Sequence, residues 1–133
     1  MKKDFLDSNV VVYYYTKTEP KKRLAAGALL LNSEVTISTQ VLSETCHVLR
    51  KKFKWEWDEI DRIFAELRIL FPVAQVTADT IERAISLAKR TQYPYYDCLI
   101  LASAIEADCS ILHSEDFQHN QVVDGVRIIN PFL

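Results

Sequence analysis

Glycine is nearly missing from this chain, at two residues in 133, and proline is scarce at four. Many-turned all-β folds and disordered linkers both need more of these residues, so both are disfavoured. Cysteine is sparse and odd in number. Cys46, Cys98 and Cys109 contain no CxxC pair, which argues against a disulfide framework and predicts buried, reduced thiols. The three histidines, His47, His113 and His119, lack the spacing of a zinc site. No apolar run reaches the roughly 18 residues that would span a bilayer. The opening MKKDFLD breaks its apolar stretch at Asp7, unlike a secretory signal. A soluble, cytoplasmic protein is expected, with no membrane partner.

What is present is an ordinary globular balance, 49 % hydrophobic and 26 % charged. The length suits a single domain over residues 1–133, with a core that needs no structural metal. The formal net charge of −2 conceals two basic clusters, KKR at 21–23 and RKKFK at 50–54. Each reads either as a solvated helix face or as a contact for a nucleic-acid backbone.

Short β-prone segments alternate with helical ones. DFLD at 4–7, VTIS at 35–38, VAQV at 73–76, SILHS at 110–114 and VRIIN at 126–130 read as strands. Helices are predicted from Asn9 to Tyr15, from Pro20 to about Asn32, after a Thr39 cap, over 55–71, after Thr77, and over 95–108. This alternation predicts an α/β fold: a three-layer α/β/α sandwich around a short central parallel sheet.

Four acids occupy places where such a sheet gathers its chemistry, beyond the carboxyl ends of strands. Asp7 closes the first strand, and Asp116 follows SILHSE. Glu44 lies within the helix after VTIS, and Asp97 opens an apolar helix. Each has a local alternative. Asp7 and Asp97 can cap helices, Asp116 can stabilise a turn, and Glu44 can pair with a lysine or arginine. Crowded together, however, they would repel until a proton or a cation intervened. A hard divalent ion, Mg²⁺ or Mn²⁺, suits oxygen-only ligands, and phosphodiester hydrolysis is the chemistry such a pocket serves.

On these residues the chain resembles the PIN-domain nucleases, especially toxins of the VapC type from toxin–antitoxin operons. FLDSNVVVYY is similar to the family's opening hydrophobic-Asp-Thr-Asn, with Ser8 in the threonine position. STQVLSETCHVL resembles the segment carrying the family's glutamate, here Glu44. YYDCLILASAIEADCSILHSEDF resembles the stretch carrying the last two acids, here Asp97 and Asp116. The departures are Ser8, Tyr96 where tryptophan is common, and Asn120 where one branch has glycine. The resemblance implies a metal-dependent endoribonuclease acting on RNA, a cognate antitoxin and a homodimer.

In this reading Asp7 and Asp97 ligate the metal directly, while Glu44 and Asp116 ligate it directly or through water. Ser8 and Ser114 can bond a ligand oxygen or a phosphate, Asn9 can steady the Asp7 carboxylate, and Glu115 is a reserve ligand. Lys51, with Lys52 and Lys54, can contact phosphates. Tyr13, Tyr14 and Tyr15 stack on bases or pack in the core, and the histidines serve surface or packing roles. Two other classes stay open: a PIN-like module that binds RNA or protein without cutting, and an aspartate-based phosphotransfer protein.

Overall fold

The computed structural model describes residues 3–133. The chain runs β1 (Asp4–Leu6), α1 (Ser8–Tyr15), α2 (Pro20–Asn32), β2 (Val35–Ser38), α3 (Thr39–Lys51) and α4 (Trp57–Leu70). It continues β3 (Val73–Ala74), α5 (Ala78–Thr91), α6 (Tyr95–Glu106), β4 (Ile111–His113), β5 (Val122–Val123) and β6 (Val126–Ile129). The expected α/β architecture is observed: one six-stranded sheet in the order β3-β2-β1-β4-β6-β5, parallel except for β5, flanked by helices.

The strand order decides where the site lies. From β1 the chain crosses through α1 and α2 to β2, then through α3 and α4 to β3, moving steadily towards one edge. It returns through α5 and α6 to β4 on the far side of β1, and continues outwards to β6. Because such crossovers are right-handed, the reversal puts the two helix groups on opposite faces. The packing follows this division, with α1 against α2 and α3, α3 against α4, and α5 against α6. Between β1 and β4 the connections diverge, opening the crevice where ligands bind in open α/β sheets.

The core runs through both layers. Phe5, Leu6, Ile37, Leu112 and Ile128 are fully buried on the sheet, with Val10, Val11, Leu87, Ile100 and Leu101 beneath the helices. α1 and α6 are apolar nearly all round, as elements enclosed on several sides must be. Among the described residues no helix is long and apolar enough to cross a membrane. All three cysteines are free. Cys98 and Cys109 are buried as expected, but Cys46 on α3 is only half-buried.

Three local expectations are corrected. Ser38, not Thr39, caps α3, its hydroxyl accepting from the Val41 amide at 3.2 Å. Thr39 is the first helical residue, and its hydroxyl instead accepts from the Val76 amide at 3.1 Å. The strand expected over 73–76 shortens to two residues, because Val76 is drawn into that contact before Thr77 caps α5. An antiparallel strand, β5, was not expected. It pairs with β6 through Asp124 and Gly125, both at positive φ (47° and 86°), as a two-residue type I′ hairpin requires.

Leu101→Ala, which empties a fully buried position, is expected to cost about 3 kcal/mol of unfolding free energy. Leu31→Ala, at 82 % exposure on α2, should stay within about 0.5 kcal/mol. Urea denaturation of the two variants measures both.

Candidate metal centre

Asp7 follows the last residue of β1 in extended backbone and caps α1, so its side chain lies between a strand end and a helix start. Its amide donates to the His113 carbonyl at 3.0 Å, fixing it beside the end of β4. One carboxylate oxygen, Oδ1, accepts from the Ser8 amide at 2.7 Å and more weakly from the Ser8 hydroxyl at 3.4 Å. The other, Oδ2, accepts from the Ser114 hydroxyl at 2.7 Å. Ser114 is fully buried, and its oxygen also accepts from the Asp116 amide at 3.1 Å. One serine thus aligns two acids. The hydrogen bonds to Asp7 come from Ser8 and Ser114 rather than from Asn9, which is half-buried on α1.

Asp97 projects from the first turn of α6, and Asp116 from the loop after β4. Asp7, Asp97 and Asp116 each offer an oxygen within 4.8 Å of the others, graded from buried through half-buried to exposed. Of the four acids expected to meet, directly or through water, these three lie within direct-ligand distance of one another. Glu44 stands outside the group, half-buried on α3, where the Gln40 amide nitrogen donates to it at 3.3 Å and to the Tyr96 carbonyl at 3.0 Å. Its charge nevertheless reaches both Asp7 and Asp97. Gln40, which joins α3 to the start of α6, had no sequence signal to single it out.

The remaining candidates separate clearly. Glu115 faces away from the acids: Tyr13 donates its hydroxyl to it at 2.5 Å and Lys22 its ammonium at 2.9 Å. That corrects its reading as a reserve ligand, because its carboxylate is engaged by Tyr13 and Lys22 instead. His113 is buried and paired with Asp4 at 2.9 Å, while His119 accepts from the Asn130 amide at 3.0 Å. His47 and Lys51 are exposed along α3. Tyr13, Tyr14 and Tyr15 are half-buried against the core rather than free to stack. Asn120 adopts φ 71°, a left-handed conformation that asparagine tolerates better than most residues, so the loop needs no glycine there.

Electrostatically the three acids are a frustrated set. Burial, followed by repulsion from Asp116 and Glu44, lifts Asp7 from the ordinary 3.8 to about 7, although the Ser114 and Ser8 hydrogen bonds pull the other way. Asp97 rises to about 6 through burial and the charges of Asp116 and Glu44. Asp116 is also raised, chiefly by burial and then by Glu115. With Asp7 near 7, part of this repulsion is relieved by a proton close to neutral pH, and a cation would take that proton's place. Three clustered carboxylates are hard oxygen donors, with room left for water or phosphate oxygens. The residues present fit a hard divalent cation.

A sequence model of the PIN domain matches residues 5–124, the stretch that carries all four acids. No curated protein sequence matches the chain. Among solved structures, the chain is similar to VapC20 of Mycobacterium tuberculosis, described as a sarcin–ricin loop cleaving toxin. The TM-score is 0.73 at 22 % identity, covering 93 % of this chain and 98 % of that one. It is similar to a toxin–antitoxin complex from Klebsiella pneumoniae at TM-score 0.71 and 21 % identity, covering 96 % and 97 %. It also resembles VapBC2 of Rickettsia felis bound to a promoter DNA fragment, at TM-score 0.66 and 17 % identity, covering 95 % and 96 %. These likenesses show the fold.

Between pH 3.8 and about 7 the folded chain keeps a proton on Asp7 that the unfolded chain releases. Stability of the metal-free protein must therefore fall as pH rises through that window. Thermal unfolding in EDTA should show a lower Tm at about pH 8 than at about pH 5. Asp7→Asn should flatten that difference, and excess Mn²⁺ should raise the wild-type Tm at the higher pH.

Proposed function

The chain belongs to the PIN domain family, and from that premise we propose that it is a metal-dependent endoribonuclease, the toxin of a toxin–antitoxin pair. The observation that carries this reading is the convergence of Asp7, Asp97 and Asp116 within 4.8 Å at the carboxyl rim of β1 and β4.

Asp7, Asp97 and Asp116 would hold one or more Mg²⁺ or Mn²⁺ ions. Bound there, the metal supplies an acidified water and neutralises charge at the phosphate and the leaving oxygen. Ser114 keeps Asp7 and Asp116 in register, and Ser8 holds the other oxygen of Asp7. Glu44, set back from the three, orients the attacking water, with Gln40 steadying its carboxylate. None of the histidines is required. RNA is the substrate, and the likeness to toxin–antitoxin complexes supports an antitoxin partner. An open cleft of about 580 Å³ between α1 and α2, flanked by exposed Leu24 and Leu31, offers apolar surface for one. Exposed Ile81 and Ile85 on α5 suit a homodimer, and a cytoplasmic setting suits the free thiols.

Asp7→Asn should lower cleavage of labelled RNA in Mg²⁺ or Mn²⁺ by about a hundredfold or more. EDTA should abolish it in the wild type. Full activity in either experiment overturns the mechanism. The rate should climb between about pH 5.5 and 7.5, because protons compete with the metal for Asp97 and Asp7, whose values lie near 6 and 7.

A further inference from the structure

Gln40, Glu44, His47 and Lys51 succeed one another at steps of four, three and four residues, so they form one narrow stripe along α3. The stripe begins beside the acidic cluster and becomes more exposed along its length: Gln40 and Glu44 are half-buried, His47 and Lys51 exposed. Glu44 and Lys51 are seven residues apart, or ~10 Å along the helix axis. At its far end the stripe opens into a pocket of about 560 Å³ lined by His47, Arg50, Lys51, Lys54, Glu56 and Trp57.

That pocket has a defined construction. Arg50 donates to the Trp55 carbonyl at 3.0 Å, and its guanidinium lies 5.3 Å from the centre of the Trp57 ring. Trp57 is nevertheless 60 % exposed, so much of its surface remains open. Lys54 sits at φ 60°, a left-handed conformation that glycine or asparagine would adopt more readily. Three permanent cations, Arg50, Lys51 and Lys54, face a single carboxylate, Glu56. A polyanion is therefore drawn to this spot on a molecule whose formal net charge is −2. A flat aromatic surface beside exposed lysines is the arrangement that takes an unpaired base and its flanking phosphates.

We propose that the α3–α4 junction is a subsite for single-stranded RNA, with a base stacked on Trp57 and phosphates held by Lys51 and Lys54. The scissile phosphate then lies at the acids and the flanking chain follows the α3 stripe. The choice of RNA over another polyanion rests on the nuclease reading; the geometry of the junction does not. Because Trp57 selects any unpaired base rather than a particular one, this subsite favours single-stranded stretches over paired ones.

The test uses the full chain and a short unstructured oligouridylate. The chain has two tryptophans, so a Trp55→Phe background leaves Trp57 as the reporter. In EDTA, binding should quench Trp57 fluorescence, and Trp57→Ala should weaken affinity about tenfold in a filter assay that needs no reporter. Lys51→Ala and Lys54→Ala should each reduce the slope of log affinity against log salt by about 0.7. Lys89→Ala, on the exposed end of α5, should change neither. In turnover, the loss should fall on KM rather than kcat. Affinity, salt slope and KM all unchanged in these variants, with the wild type still cutting RNA, would overturn the subsite and leave the nuclease intact. Binding lost in the variants while even the wild type never cuts would uphold the subsite and remove the nuclease. Displacement of RNA by polyglutamate at equal charge concentration, without quenching of Trp57, would show an acidic-protein surface instead and overturn the proposal.

Discussion

Asp7 is an ionisable group held at 4 % exposure where two crossover connections part, and the architecture around it follows from keeping it there. Its backbone belongs to the end of β1, its side chain caps α1, and its amide is bonded to the end of β4. The Ser8 and Ser114 bonds recover part of what burial costs, but they do not cancel the repulsion of the neighbouring acids. The repulsion left over is what a bound cation would neutralise, so under the nuclease reading the electrostatic cost of this site and its call for a metal have one origin.

The loop after β4 shows how such a group is kept in place. Within three consecutive residues, Ser114 bonds Asp7, Glu115 turns outward to Lys22 and Tyr13, and Asp116 turns inward to the other acids. Lys22 reinforces this anchorage by lying 4.6 Å from the centre of the Tyr13 ring. The basic KKR cluster of α2 therefore contributes one member to a structural clamp. On the opposite face of the same strands, Asp4 and His113 form a second buried polar pair, which ties β1 to β4 close to the site. The two strands that frame the crevice are thus joined by polar contacts on both faces, as well as by their ladder.

Much of this was readable from residue order. DSN after a short apolar strand, SED after another, and an acid at the head of YYDCLILASA marked the three carboxylates that meet. Helices followed periodicity and caps closely, with Ser38 in place of Thr39 as the clearest slip, since two adjacent hydroxyls compete and only the backbone selects between them. The missed strand β5 had a signal in VVDGVR, whose Asp-Gly between apolar residues marks a tight hairpin. Glu44 was harder: its place on the helix was legible, but its distance from the other acids was not.

Spacing along the chain determined the elements, the apolar faces and the identities of the acids, because helix and strand periods are properties of near neighbours. Strand order belongs to the tertiary structure, and it brings Asp97 and Asp116 to Asp7. Only the folded chain could show Glu115 turned to Lys22 and Tyr13, Glu44 set back, and Ser114 bonded to the distant Asp7 carboxylate. Those outcomes depend on which side chains face one another across different elements, and no local pattern encodes that.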